Sequence, residues 1–298
     1  MKVDRTVITD WFKQLQDNIC EDLESLDGRG SFHEDLWERE GGGGGRTRIL
    51  EGALVEKGGV NFSAVSGDLP SNIQQALKLD KPDFYATGVS IVLHPHNPWM
   101  PIIHMNVRYF ETGDGTYWFG GGIDLTPHYV IDEDAVFFHR TLETACKVLS
   151  KDAYPEYKKW ADDYFYVKHR KETRGIGGIF FDRLAGDESR TKENIFEFVQ
   201  AVGNAFLPIY NYMARQNSQK TFTKDHKDWQ LLRRGRYVEF NLVWDRGTKF
   251  GLETDGRIES ILMSLPPHVD WKYNYIPKED SEEARTLLLL RKGIDWSQ

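Results

Sequence analysis

Residues 87–125 read TGVSIVLHPHNPWMPIIHMNVRYFETGDGTYWFGGGIDL, and three period-two runs inside this stretch decide the fold class. The runs cover 87–95, 102–111 and 117–125, and the joints between them, Asn97-Pro98 and Gly113-Asp114-Gly115, are turn sequences. Runs joined so closely pair antiparallel. Alternation in the middle run puts His104, Asn106 and Arg108 on one face, opposite Ile103, Met105, Val107 and Tyr109. In the preceding run Ser90 and His94 share a face by the same rule. Paired through the Asn97-Pro98 turn, Ser90, His94, His104, Asn106 and Arg108 line one patch. A plain solvated face is the alternative, but such a face rarely uses two histidines and an arginine without Lys, Glu or Thr.

Working outward, apolar positions Ile8, Trp11, Phe12, Leu15, Ile19 and Leu23 predict a helix over 8–26, stopped by Gly28 and Gly30. The run Gly41 to Gly45, followed by Arg46 and Arg48, reads as a loop whose backbone can come close to a ligand. Helical patterns cover 132–150, 154–174, 193–216 and 282–291. Further strands are predicted at 237–244, 250–254 and 257–265, separated by Asp245-Arg246-Gly247 and Asp255-Gly256. Blocks of strands and helices without βαβ alternation indicate α+β with a mostly antiparallel sheet. With no repeat or linker, 1–298 reads as a single domain.

In the strand reading of 237–244, Glu239, Asn241 and Asp245 share a face opposite Val238, Phe240, Leu242 and Trp244, although Asp245 serves equally as a turn former. Arg233, Arg234, Arg236, Arg246 and Arg257 crowd the same third of an acidic chain. Since guanidinium forks grip carboxylates, this points to an anionic ligand.

Composition removes several function classes. Thirty-eight Lys and Arg against 46 Asp and Glu give a net charge of −8, too acidic for a generic nucleic-acid binder. No apolar run approaches the ~20 residues of a membrane span. The early acids Asp4, Asp10, Asp17, Glu21 and Asp22 fit neither a signal peptide nor a transit peptide, so a cytoplasmic location is expected. Two isolated cysteines, Cys20 and Cys146, exclude a CxxC zinc site, an iron–sulfur cluster and a disulfide framework. The dinucleotide, Walker, G-x-S-x-G and H-E-x-x-H patterns are missing from the sequence. Of five candidate metal-ligating histidines, only His94 and His96 are neighbours, and they face opposite sides of a strand.

Longer segments carry a resemblance. EGGGGGRTRIL (40–50), VEKGGVNFS (55–63), GVSIVLHPHNPWMPIIHMNVRYF (88–110), WFGGGIDLTP (118–127), FFHRTL (137–142), YKKWADDYFYVKHRKETRGIGGIFFD (157–182) and RRGRYVEFNLVWDRGTKFGLETDGRIESILMSLPP (233–267) closely resemble the aerobic coproporphyrinogen III oxidase family. Asp255 departs from it, standing where many members have a second glycine.

The resemblance implies a seven-stranded antiparallel sheet between helices. It also implies a homodimer in contact through about Tyr237 to Lys272. The implied reaction is O2-dependent oxidative decarboxylation of two propionates of coproporphyrinogen III to vinyl groups, with neither flavin nor heme. The anaerobic counterpart needs a cysteine-held iron–sulfur cluster, which two isolated cysteines exclude.

Residue by residue, the family's proton-donor histidine falls on His104. Its substrate contacts fall on Ser90, Asn106, Val107, Arg108, Asp255, Gly256 and Arg257. A family-level metal proposal falls on His94, His104, His139 and His169, with no metal expected to be essential. Arg108 and Arg257 are then the cations for propionates. Asp245, with Asp124 as second choice, is the base or counter-charge near the pyrrole N–H groups. The rivals are a histidine-metal oxygenase and a tetrapyrrole carrier without turnover.

Overall fold

The computed structural model describes residues 3–69, 71, 74–75, 83–253 and 256–297. Seven strands, β1 (His33–Glu38), β2 (Gly43–Leu50), β3 (Val55–Asp68), β4 (Asp83–Pro95), β5 (Ile102–Thr112), β6 (Tyr117–Thr126) and β9 (Gly178–Leu184), form one sheet in the order β1-β2-β3-β4-β5-β6-β9. Every pairing is antiparallel. A small separate ladder joins β7 (Tyr166–Val167) to β8 (Glu172–Thr173).

One face of the sheet is the core. Val60, Val89, Ile91, Leu93, Ile103, Met105, Val107, Ile123 and Ile179 are fully buried there. They pack under α1 (Arg5–Asp27) and α4 (Lys192–Asn217). Helix α1 starts where the Asp4 carboxylate accepts the Val7 N–H at 3.0 Å and stops at Gly28, whose φ of 74° is the left-handed conformation that glycine adopts freely. Gly203 on α4 lets the two helices touch, because a Cβ there would sit 2.8 Å from the Trp11 ring. Helix α2 (Asp132–Cys146) stacks Phe137 on Tyr212 of α4 at 3.8 Å. Helix α3 (Ala153–Tyr164) runs along edge strand β9, setting Tyr157 against Phe181 on the core side and Trp160 and Tyr164 against Phe180 on the other.

The second face is covered at its ends by the later part of the chain, and here the structure corrects the sequence reading. Residues 237–244, 250–253 and 257–265 do not form strands. They belong to α5 (Lys224–Val243), α6 (Arg246–Glu253), α7 (Ile258–Leu262) and the segments around them. The buried positions Trp229, Arg233, Tyr237, Phe240 and Asn241 recur at helical spacing, while Leu242 and Val243, apolar as they are, face out. Tyr237 packs on Val92 and Ile102. Helix α3 ends at Tyr164, ten residues short of the predicted 174. The strands that complete the sheet are β1, β2, β3 and β9, and the glycine run is a hairpin whose Gly43 to Gly45 lie in β2. Helix α8 (Glu282–Leu289) lies near the end of the chain.

His94 and His139 are fully buried, and burial, reinforced by Arg234 for His94 and by Lys158 for His139, pushes each imidazole down to about 3. Unfolded histidine titrates near ~6.5, so below that pH the unfolded chain binds protons that the folded chain refuses. Stability is therefore full above about pH 6.5 and is lost as pH falls toward 3, by at most ~1.4 kcal/mol per pH unit for each ring. Urea unfolding across this range should show a shallower slope for His139→Gln than for the parent; an unchanged slope would exclude the histidine as the source.

Candidate active site

Three ladders of directly opposed residues cross the second face. The first runs Ile49, Gly59, Val92, His104, Asp124, Gly178. The second runs Thr47, Asn61, Ser90, Asn106, Gly122, Phe180, and the third Gly45, Ser63, Gly88, Arg108, Gly120. Six of these seventeen positions are glycine, and Asn61, Ser63, Ser90 and Asn106 set short polar side chains among them. Helix α5 closes one end of this floor. Toward β1 and β2, Ser260 of α7 reaches Thr47 at 3.0 Å and Asn61 at 3.1 Å. Between them Ser90, His104, Asn106 and Arg108 remain half-buried, as the alternation of the sequence implies.

His104 is a quarter exposed, and its Nδ1 lies 2.7 Å from Asp124 Oδ1. Asp124 is 2% exposed and Arg174 3%. The Arg174 Nη2 donates to both Asp124 oxygens at 2.8 and 2.9 Å, while its Nη1 donates to Asn241 of α5 at 2.7 Å. The guanidinium is boxed by the rings of Phe165, Tyr237 and Phe240 at 4.4 to 4.7 Å. Burial alone would push the Asp124 carboxyl up, but Arg174 and then His104 outweigh it and hold the group below the usual carboxylate range. An ionised Asp124 fixes the His104 ring with Nδ1 inward, leaving Nε2 to the cleft.

Asp245 does not end a strand beside Asn241. It follows α5 and caps α6, accepting the Thr248 N–H at 2.7 Å and hydroxyl at 2.8 Å on one oxygen and the Tyr164 hydroxyl at 2.7 Å on the other. Burial would raise its pKa, yet the Tyr164 and Thr248 bonds, with Arg174 nearby, keep it low. Asp245 is less buried than Asp124.

Arg108 donates to Asn106 at 2.8 Å and to Asp182 of β9 at 2.7 Å. Arg257 pairs with Asp35 of β1, donates to Ser260 at 3.1 Å and lies 6.0 Å from the Trp37 ring. Arg108 on β5 and Thr47 on β2, beside Arg257, are three interstrand steps apart, roughly 14 Å.

Other assignments change. Val107 points into the core and is fully buried, so its side chain cannot touch a ligand on the polar face. Asp255 lies outside the described residues, while Gly256 closes a turn by donating to the Gly251 carbonyl at 2.8 Å. The arginine cluster is mostly internal: Arg233 pairs with Glu172, Arg234 with Glu56 and Arg236 with Glu239.

The four histidines of the metal proposal are not assembled. His94 bonds the Ser264 carbonyl, and both nitrogens of His139 are taken by Ile176 and Tyr154. Both nitrogens of His169 are taken by Glu239 and Trp244, and His104 holds Asp124. Among the described residues no three His, Cys, Asp or Glu are grouped to hold an ion. The donor set does not fit a shared metal. Arg174, Asp182, Tyr164 and Asp35 escaped the sequence reading. Only the position of Arg174 at the edge of a glycine-rich segment hinted at a special role.

A family model described as coproporphyrinogen III oxidase matches residues 7–296. Two curated relatives, from Prochlorococcus marinus strains NATL1A and NATL2A, are each named oxygen-dependent coproporphyrinogen-III oxidase. Each is 47% identical over 308 residues, with 95% of this chain and 88% of the relative covered.

Removing one member of a buried ion pair strands the other. Arg174→Met should cost about 3–5 kcal/mol in urea unfolding, and adding Asp124→Leu to it should recover much of that loss. Additive losses in the double variant would show that the two groups are not coupled.

Proposed function

The chain belongs to the coproporphyrinogen III oxidase family, and from that premise we propose that it oxidatively decarboxylates two propionates of coproporphyrinogen III with O2, giving protoporphyrinogen IX. The observation that carries the reading is the half-buried His104 on its Asp124–Arg174 support, one ladder from Asn106 and two from Arg108, on a face rich in glycine and short polar residues.

For each propionate the balance is R–CH2–CH2–CO2⁻ + O2 + H⁺ → R–CH=CH2 + CO2 + H2O2. The electron-rich pyrrole gives two electrons to O2 and its N–H proton to the peroxide that forms, which leaves the ring cationic beside a hydroperoxide. The hydroperoxide takes a proton from the β-carbon and leaves as H2O2; neutral CO2 then departs, the electron pair of its broken C–C bond forming the vinyl double bond and the displaced pair returning to the pyrrole nitrogen. One proton is consumed, and His104 Nε2 supplies it. A carboxylate held as low as Asp245 is a poor proton acceptor and a good counter-ion, so its role is to stabilise positive charge on the macrocycle. Arg108 and Arg257, about one macrocycle width apart, grip carboxylates. Ser90, Asn106 and the Gly256 backbone are the remaining contacts.

The exposed apolar side chains of Leu242, Val243, Leu252, Ile258 and Trp271 support a homodimer contact over about Tyr237 to Lys272, to be checked by native mass. Among the described residues no helix is long and apolar enough to cross a membrane. We keep the cytoplasm as the proposed location.

The activity is tested by the appearance of protoporphyrin fluorescence from coproporphyrinogen with and without O2. Turnover should need O2 and persist after exhaustive chelation; activity lost to EDTA and restored by one added metal would overturn the metal-free account. Asp245→Asn keeps the Thr248 cap and removes the charge. It should lower kcat by a factor of roughly 10²–10⁴ with KM and melting temperature near the parent. A folded variant with more than about a third of the parental rate would leave Asp245 only its capping role.

A further inference from the structure

Both arginines assigned to propionates already hold a protein carboxylate, and at Arg108 the pairing is built into the sheet. Arg108 stands on β5 and Asp182 on β9, with β6 between them. They meet across Gly120, where a Cβ would lie 2.6 Å from Asp182 Oδ1 and 2.9 Å from Arg108 Nη2. The pair is 2.7 Å long, with its two side chains 39% and 35% exposed, so it opens onto the cleft and a ligand can compete for it. Asn106 holds the other guanidinium nitrogen at 2.8 Å and keeps Arg108 in place while the partner changes.

Resting on the reading that Arg108 grips a propionate, we propose that Asp182 is a positioning residue that exchanges with the substrate carboxylate on Arg108 and returns when that carboxylate leaves as CO2. The reaction removes the negative partner of Arg108 and leaves an uncharged vinyl group beside a guanidinium. A second arriving carboxylate, or a remaining propionate of the same product, would otherwise capture that cation. Asp182 refills it within the sheet, so binding is weakened and release is hastened by the same group. The number of carboxylates on the tetrapyrrole thereby decides how long it stays.

The test is Asp182→Asn in the full chain. It keeps a hydrogen bond to Arg108 and loses the charge. Removing a competing exposed ion partner should lower KM by about two- to five-fold, lower the inhibition constant of the product by a similar factor, and lower kcat through slower release. Asp182→Glu should restore all three values. In an Arg108→Gln background the same change should have no effect on KM. Asp182→Ser serves as the second variant if the asparagine protein does not fold.

A merely structural Asp182 predicts a raised KM or none of these shifts. Either result, or an equal KM effect without Arg108, would overturn the proposal. A parent chain inactive on coproporphyrinogen would instead overturn the activity. An active parent whose Asp182→Asn variant shows unchanged KM and product inhibition overturns the role of Asp182 alone.

Discussion

The requirement that a buried carboxylate keep its charge organises the second face of the sheet. Asp124 is almost out of water, and removing an ion from solvent is compensated only if geometry and further hydrogen bonds are complete. Arg174 supplies two bonds, His104 a third, and Arg174 in turn needs Asn241 and a box of three aromatic rings. The β5–β6 hairpin, the segment after β8 and α5 are thus tied to one point from three separate parts of the chain. The quarter-exposed His104 is oriented by that point, and so is the closed end of the cleft.

How much of this was legible in the sequence depended on which physical signal dominated locally. The β4–β5 hairpin was legible because alternation there is undiluted, and it placed Ser90, His94, His104, Asn106 and Arg108 on one face correctly. Segment 237–244 was not, because Tyr, Val, Phe, Leu, Val and Trp with alternating polar residues imitate a strand, while the helical spacing shows only when buried arginines count as interior positions. Arginine is rarely buried unless paired, and the partners Glu172, Glu56 and Glu239 are remote or ambiguous in sequence. Strands β2 and β3 hid behind glycines that ordinarily argue against a strand. Here they let neighbours cross: a side chain at Gly45 would strike the Trp37 indole, and one at Gly59 would strike Met263.

The same logic separates the histidines. Local spacing cannot tell a ligand from a structural ring, and three of the four metal candidates are engaged by carbonyls, a tyrosine, a tryptophan or a glutamate in unrelated places. Asp245 shows the converse. Its capping role was foreseeable from the Asp-Arg-Gly sequence, yet the bond from Tyr164 and the field of Arg174 come from elements that only the fold brings near.

The helices that close the cleft follow every strand of the sheet in chain order. At ~5–20 residues per second, the polar floor would be synthesised several seconds before α5 and α7 emerge to cover it. During that interval the ring of His94 and the sheet backbone near Gly59 lack their covers from 264 and 263, in contact with whatever the ribosomal exit offers. A chain stopped near residue 220 would hold the whole sheet and the Arg174–Asp124 pair but lack Asn241. Every strand of the sheet is therefore made before the site can form, while the roof of the cleft and the last pieces of the core, Leu290 and Trp296, arrive together at the end.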